Sequence, residues 1–199
     1  MSEVAAALAP HLLWALVLAV VLWCVGGTAV RDVLSRVKGV EFGGVRIDIE
    51  SAVESAAAAQ DVEVSRRASR AVAERLRRAQ GRVAAMRLLW IDDDPTGNAE
   101  EMRILKGLGA TIDLARSNKD ARERLAVAVY DIVLSDIKRG EQGDEGIRFL
   151  PEALDALLSP PVIFYVAESK GTPNGAFGIA TRPDELMHLI VDALERRGS

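Results

Sequence analysis

Hydrophobic and polar positions follow three different patterns along this chain. From Val4 to Val30 there is no alternation: the stretch holds no Asp, Glu, Lys or Arg, and its core reads HLLWALVLAVVLWCVGGTAV. A bilayer needs roughly 20 consecutive apolar residues, so residues 11–30 are expected to form a single transmembrane helix behind a short tail, residues 1–10. In the juxtamembrane segment 31–50, Val45, Ile47 and Ile49 alternate with Arg46, Asp48 and Glu50, the period of a half-buried strand. Gly43-Gly44 is suited to turning that strand into a hairpin. Residues 51–86 are rich in Ala and Arg, lack Pro, and predict a long helical stalk. Val62, Ser69, Leu76 and Val83 make one heptad row and Ser65, Val72, Ala79 and Met86 another, a seam for self-association as a coiled coil.

From Arg87 the pattern changes again. Apolar strands are expected at RLLWI (87–91), TIDLA (111–115), DIVLS (131–135), VIFYV (162–166) and GIAT (178–181), with helices near 97–107, 118–128, 146–158 and 184–196. Strand and helix in alternation predict an α/β domain over 87–199, a doubly wound five-stranded parallel sheet. Between the last two strands, ESKGTPNGAF is short and rich in turn residues, so no full helix is expected there.

Charge adds orientation. Arg31, Arg36, Lys38 and Arg46 follow the apolar run and no Lys or Arg precedes it. The positive-inside bias then places the C-terminal part in the cytoplasm of a single-pass inner-membrane protein. A signal peptide would want a basic leader, and none is present. Cys24 is the only cysteine, which excludes an intramolecular disulfide. Eight arginines against three acids between Asp61 and Arg87 give a local charge of +5, read as a solvated helix face, with anionic lipid or nucleic acid as the functional alternative. Residues 88–199 carry 20 acids and 13 bases, so nucleic acid is not an expected partner of that part.

The candidate chemistry lies at LLWIDDDPTG, where a strand runs into Asp92, Asp93 and Asp94. In a parallel sheet of order 2-1-3-4-5 the carboxyl ends of strands one and three are neighbours, and Asp136 follows strand three. An acidic, oxygen-only pocket of this kind suits Mg²⁺.

These residues resemble the receiver domain of two-component response regulators over residues 87–197. LLWIDDDP resembles that family's first strand with its acid pair, on Asp92 and Asp93, and YDIVLSDI its third, with the phospho-accepting aspartate on Asp136. The resemblance implies that Asp92, Asp93, Asp136 and the backbone carbonyl of Lys138 hold Mg²⁺, that Arg182 stands in the place of the family lysine, and that a histidine kinase or a neighbouring effector protein is the partner. It also implies a flavodoxin-like fold. The sequence departs from the family where the phosphoryl state is read: the switch hydroxyl falls on Val166, which has none, and the aromatic switch on Ile179. The chain is thus expected to be a divergent, membrane-anchored receiver-like signalling protein, with a phosphorylation-independent adaptor as the alternative. A third reading, a haloacid-dehalogenase-like phosphohydrolase using Asp92 and Asp94, lacks a well-placed lysine and a second acid pair: Lys170 sits in a turn-rich loop and Asp184-Glu185 open the last helix.

Overall fold

The computed structural model describes residues 48–138 and 143–197. The expected membrane span and most of the hairpin segment fall outside them; among the described residues no helix is long and apolar enough to cross a membrane. Three helices come first, α1 (Ile49–Ala59), α2 (Arg66–Arg78) and α3 (Gln80–Ala85). The α/β unit follows as β1 (Arg87–Ile91), a 3₁₀ turn (Pro95–Asn98), α4 (Ala99–Gly107), β2 (Thr111–Ala115), α5 (Asn118–Val127), β3 (Ile132–Ser135), α6 (Glu145–Leu154), β4 (Val162–Tyr165), β5 (Gly178–Ala180) and α7 (Pro183–Arg197). All strand pairs are parallel, as the sequence predicts, and the order is β2-β1-β3-β4-β5, the one under which Asp92 and Asp136 become neighbours.

Strand side chains alternate between two cores, as the two-residue pleat requires. Leu88, Trp90, Ile132, Leu134, Ile163 and Tyr165 face one side and pack with α4, α7 and the three leading helices. Leu89, Ile91, Val133, Val162 and Phe164 face the other, under α5 and α6. No helix joins β4 to β5, as the turn residues of that stretch foretell. Gly175 there adopts φ +90, the left-handed region that glycine enters without steric cost.

The stalk is where sequence and structure part. Residues 51–86 do not form one long helix. Gln60 caps α1 through its backbone N–H, Asp61 takes φ 54, and the Ser65 side chain caps the start of α2. A left-handed non-glycine residue costs about 1–2 kcal/mol. Burial offsets it: α1 buries Ile49, Ala52, Val53, Ala56 and Ala57, and α2 buries Ser69, Val72, Ala73 and Leu76, against each other and against α4 and α7. One straight helix would leave both stripes in water. The heptad periodicity is therefore genuine, with Leu76, Ala79, Val83 and Met86 all buried, but its partner is the chain's own α/β unit. The self-associating coiled coil loses its seam, and none of the exposed large hydrophobic residues lies on α1–α3. Ile49, expected in a strand, instead opens α1 behind the Asp48 cap.

Polar contacts fix this cap in register. Arg75 of α2 reaches Asp192 and, at 2.8 Å, Glu195, both on α7. The remaining arginines of α2 and α3, Arg66, Arg67, Arg70, Arg77, Arg78 and Arg82, are exposed, the solvated face that the charge run suggests. Replacing Leu76, fully buried between cap and sheet, by Ala should cost about 2–5 kcal/mol; urea unfolding would read this, and a wild-type midpoint would show the cap to be undocked.

Candidate functional site

Parallel pairing creates the site. Beyond the register Ile91↔Ser135 the backbone ladder continues, with Asp136 N–H donating to Ile91 O at 3.1 Å and Asp92 N–H donating to Ala115 O at 2.9 Å. The two aspartates therefore leave the sheet side by side. With Asp93 and Asp94 they line one cleft of about 390 Å³, whose other walls include Gln60, Asn98, Tyr165, Val166 and Thr181.

Asp92 is buried, 6% exposed. It accepts hydrogen bonds from Asp94 N–H at 3.0 Å and from the Asn98 amide at 2.6 Å. Burial raises its carboxyl above the ordinary aspartate range; those two donors oppose the rise, and the charges of Asp136 and Asp93 add to it. Asp93 is exposed and Asp136 half-buried, the latter accepting from Lys138 N–H at 3.2 Å. Asp94 is spent on local structure: it caps the 3₁₀ turn, accepting from Thr96 N–H at 3.3 Å and from the Thr96 hydroxyl. That use removes the second acid of the phosphohydrolase-like reading.

Two close approaches hold the loops around Asp136. A Cβ on Gly146 would lie 2.2 Å from Asp136 O and 2.8 Å from Ile137 Cα, so α6 can start there only with glycine. Gly146 N–H also donates to Ile137 O at 3.3 Å.

Arg182 is not among the residues that line the acidic cleft. Its guanidinium forks onto Asp184 at 3.0 and 3.1 Å and reaches Glu185 at 3.2 Å. Asp184 is 4% exposed, and a buried carboxylate without its partner is costly, so this pair holds Arg182 at the head of α7. Val166 is buried and lines the cleft with methyl groups, as its place in the sequence implies. Ile179 packs against the α5–α6 core.

Sequence reasoning did not find the polar cluster beside the acids. Glu101 of α4 is fully buried. Its Oε1 lies 2.7 Å from Gln60 Nε2 and 2.8 Å from the Tyr165 hydroxyl, which is also 2.8 Å from Gln60 Oε1. Tyr165 has one proton and would face two acceptors if Glu101 were ionised. The hydroxyl donates to one of them at a time, Glu101 Oε1 or Gln60 Oε1, while Gln60 Nε2 donates to Glu101 Oε1. Burial holds the Glu101 carboxyl above the ordinary glutamate range, and the hydrogen bond from Tyr165 opposes that rise. Asn98 had a local signal, six residues after Asp92; Gln60 had none, because 32 residues of chain separate it from Asp92.

The fold and the site can now be set beside known proteins. No protein-family profile matches the chain. The transcriptional regulatory protein DltR of Streptococcus agalactiae is homologous to it, 31% identical over 111 residues that make up 53% of this chain and 49% of that protein. The chain thus spans about half the length of the curated relatives it matches. Among solved structures, the response regulator PhyR of Brucella abortus is 26% identical, with TM-score 0.51 over 69% of this chain and 58% of its own. A PhyR variant of Bartonella quintana, described as an anti-anti-sigma factor, is 20% identical with TM-score 0.51 over 80% and 65%. A CheY-like receiver domain protein of Methanospirillum hungatei is 20% identical with TM-score 0.50 over 57% and 96%. The α/β unit has the receiver fold.

Two measurements test this geometry. Gly146→Ala should destabilise the protein by about 1–3 kcal/mol through overpacking, read by denaturant unfolding; a neutral effect would place α6 farther from Asp136. An acid whose folded pKa is raised gives stability that is complete below its unfolded pKa and lost as pH rises through the folded one. Glu101→Gln removes that loss, so its urea midpoint should gain on wild type as pH rises above the ordinary glutamate range. A pH-independent difference would mean that Glu101 does not titrate there.

Proposed function

We propose that this chain is a divergent receiver-like signalling protein, tethered to the inner membrane by residues 11–30 with its C-terminal part in the cytoplasm. In this reading the acidic cleft binds Mg²⁺ and Asp136 accepts a phosphoryl group, supplied by a histidine kinase or a small phosphodonor. One observation carries the proposal: Asp92, Asp93 and Asp136 meet at the carboxyl edge of a receiver-fold sheet, and the charges of Asp93 and Asp136 raise the Asp92 carboxyl. Homology to a transcriptional regulator supports a role in signalling.

The residues fit a hydrated hard cation better than a closed protein cage. Mg²⁺ commonly takes one or two carboxylates and keeps several waters. Among the described residues no set of three or more His, Cys, Asp or Glu side chains is gathered as a ready metal shell. Asp92 and Asp136 stand adjacent and the exposed Asp93 completes the oxygen set, with the Lys138 carbonyl as a further donor. When bound, the cation would offset the repulsion among these acids and the charge of the incoming group. A carboxylate oxygen of Asp136 then attacks phosphorus, an acyl phosphate P–O bond forms, and the bond from phosphorus to the donor's leaving group breaks.

Val166 offers no hydroxyl to the product, and Arg182 reaches it only by giving up Asp184. These two facts also favour a second reading, a phosphorylation-independent adaptor that uses the same surface to hold an effector.

The test uses the full chain carrying Trp14→Phe and Trp23→Phe, so that Trp90, packed edge-on to Tyr165 at 6.4 Å, reports alone. Residues before Arg87 must be retained, because α1–α3 cover the Trp90 side of the sheet. A saturable Mg²⁺-dependent change that Asp93→Asn abolishes, followed by an acetyl-phosphate-dependent gain of one phosphoryl mass that Asp136→Asn abolishes, is the expected result. No response to either reagent would leave the adaptor reading in its place.

A further inference from the structure

The helical cap reaches into the acidic cleft itself. Gln60, the residue that ends α1, and Val62 beside it line the same cleft as Asp92, Asp93 and Asp136. Every polar atom of the Gln60 side chain is engaged at the boundary between cap and α/β unit. Nε2 donates to Glu101 Oε1 at 2.7 Å and to Asn98 Oδ1 at 3.4 Å, while Oε1 lies 2.8 Å from the Tyr165 hydroxyl. Asn98 in turn donates to Asp92 at 2.6 Å. Hydrogen bonds therefore run without a gap from the acidic site to the end of α1. Among the other described residues around the cleft, Val166 lacks a hydroxyl, the Thr181 hydroxyl donates to Glu185, no helix joins β4 to β5, and Arg182 is held by Asp184.

We propose that Gln60 reads the phosphoryl state of Asp136 and converts it into release of α1 and α2 from the α/β unit. The inference rests on the reading of Asp136 as phosphoryl acceptor. An aspartyl phosphate presents strong, anionic acceptor oxygens, and Gln60 Nε2 is the amide donor that the cap brings to the cleft. Its weakest present bond, the one to Asn98, is the first to be exchanged. Turning the amide towards the phosphoryl group also removes the donor from Glu101 and the acceptor from Tyr165. Glu101 is fully buried and its Oε2 already has no partner, so the broken ring can recover hydrogen bonds only from water. Water reaches Glu101 when α1 moves off α4. The cost of an unsatisfied buried carboxyl thus drives the cap outward, and α2, bound to α1 along its apolar stripe, follows.

The experiment uses the full chain in detergent with Mg²⁺ and beryllofluoride, an acyl phosphate mimic. Fluorine NMR reads whether an adduct forms at the acceptor, and hydrogen exchange reads the amides of α1. The expected result is an adduct accompanied by about tenfold faster exchange across Ile49–Ala59, the size set by loss of one or two net hydrogen bonds. In Gln60→Leu the adduct should still form, but the ratio of α1 exchange with and without it should fall to one. A purely structural Gln60 would shift both states alike and leave that ratio as in wild type. Tyr165→Phe, which frees Gln60 without removing it, should keep the response. An adduct with unchanged α1 exchange in wild type, or an intact ratio in Gln60→Leu, overturns the inference alone. Failure of any adduct to form overturns it together with the reading of Asp136.

Discussion

Parallel pairing of β1 with β3 is the constraint on which the remainder of the molecule depends. It sets Asp92 and Asp136 on adjacent strands at the same edge, where like charge and burial act against each other. A sheet edge carrying that much negative charge needs donors around it. The chain supplies them locally, from Asp94 N–H, Asn98 and Lys138 N–H. Among the described residues that line the cleft none carries a positive side chain, and Arg182 is committed to the buried Asp184.

The second organising element is the buried ring of Gln60, Tyr165 and Glu101. Placing a carboxyl at zero exposure between a helix of the α/β unit and the end of α1 is costly unless its hydrogen bonds close. The two bonds from Gln60 form only when α1 is docked. Apolar burial by Val53, Val72 and Leu76 supplies the affinity of the cap, and the ring supplies its register. A wholly apolar junction would hold as tightly but could not respond to charge.

The departures from the receiver pattern then form one picture. Val166 and Ile179 put aliphatic side chains on the β4–β5 side, and no helix joins those two strands. The face that gains structure is the opposite one, where α1–α3 sit on α4 and α7.

The strands, their parallel pairing, the acid cluster and the missing helix were legible in the sequence, because they rest on the alternation of strand and helix, apolar runs of about five residues, turn residues at fixed places, and three aspartates after a strand. The periodicity of residues 62–86 was legible too, but not its partner. A heptad seam reads alike whether it meets another chain or its own domain, since burial of apolar area is non-directional. The break at Asp61 carried no glycine or proline to announce it. Glu101 and Gln60 looked like ordinary surface residues, and Arg182 like a site residue, because burial and ion pairing are properties of places in space. Sequence determined the elements and the charge at their ends; only the tertiary structure decided which surfaces those elements would cover, and so which polar groups would lose water and have to find one another.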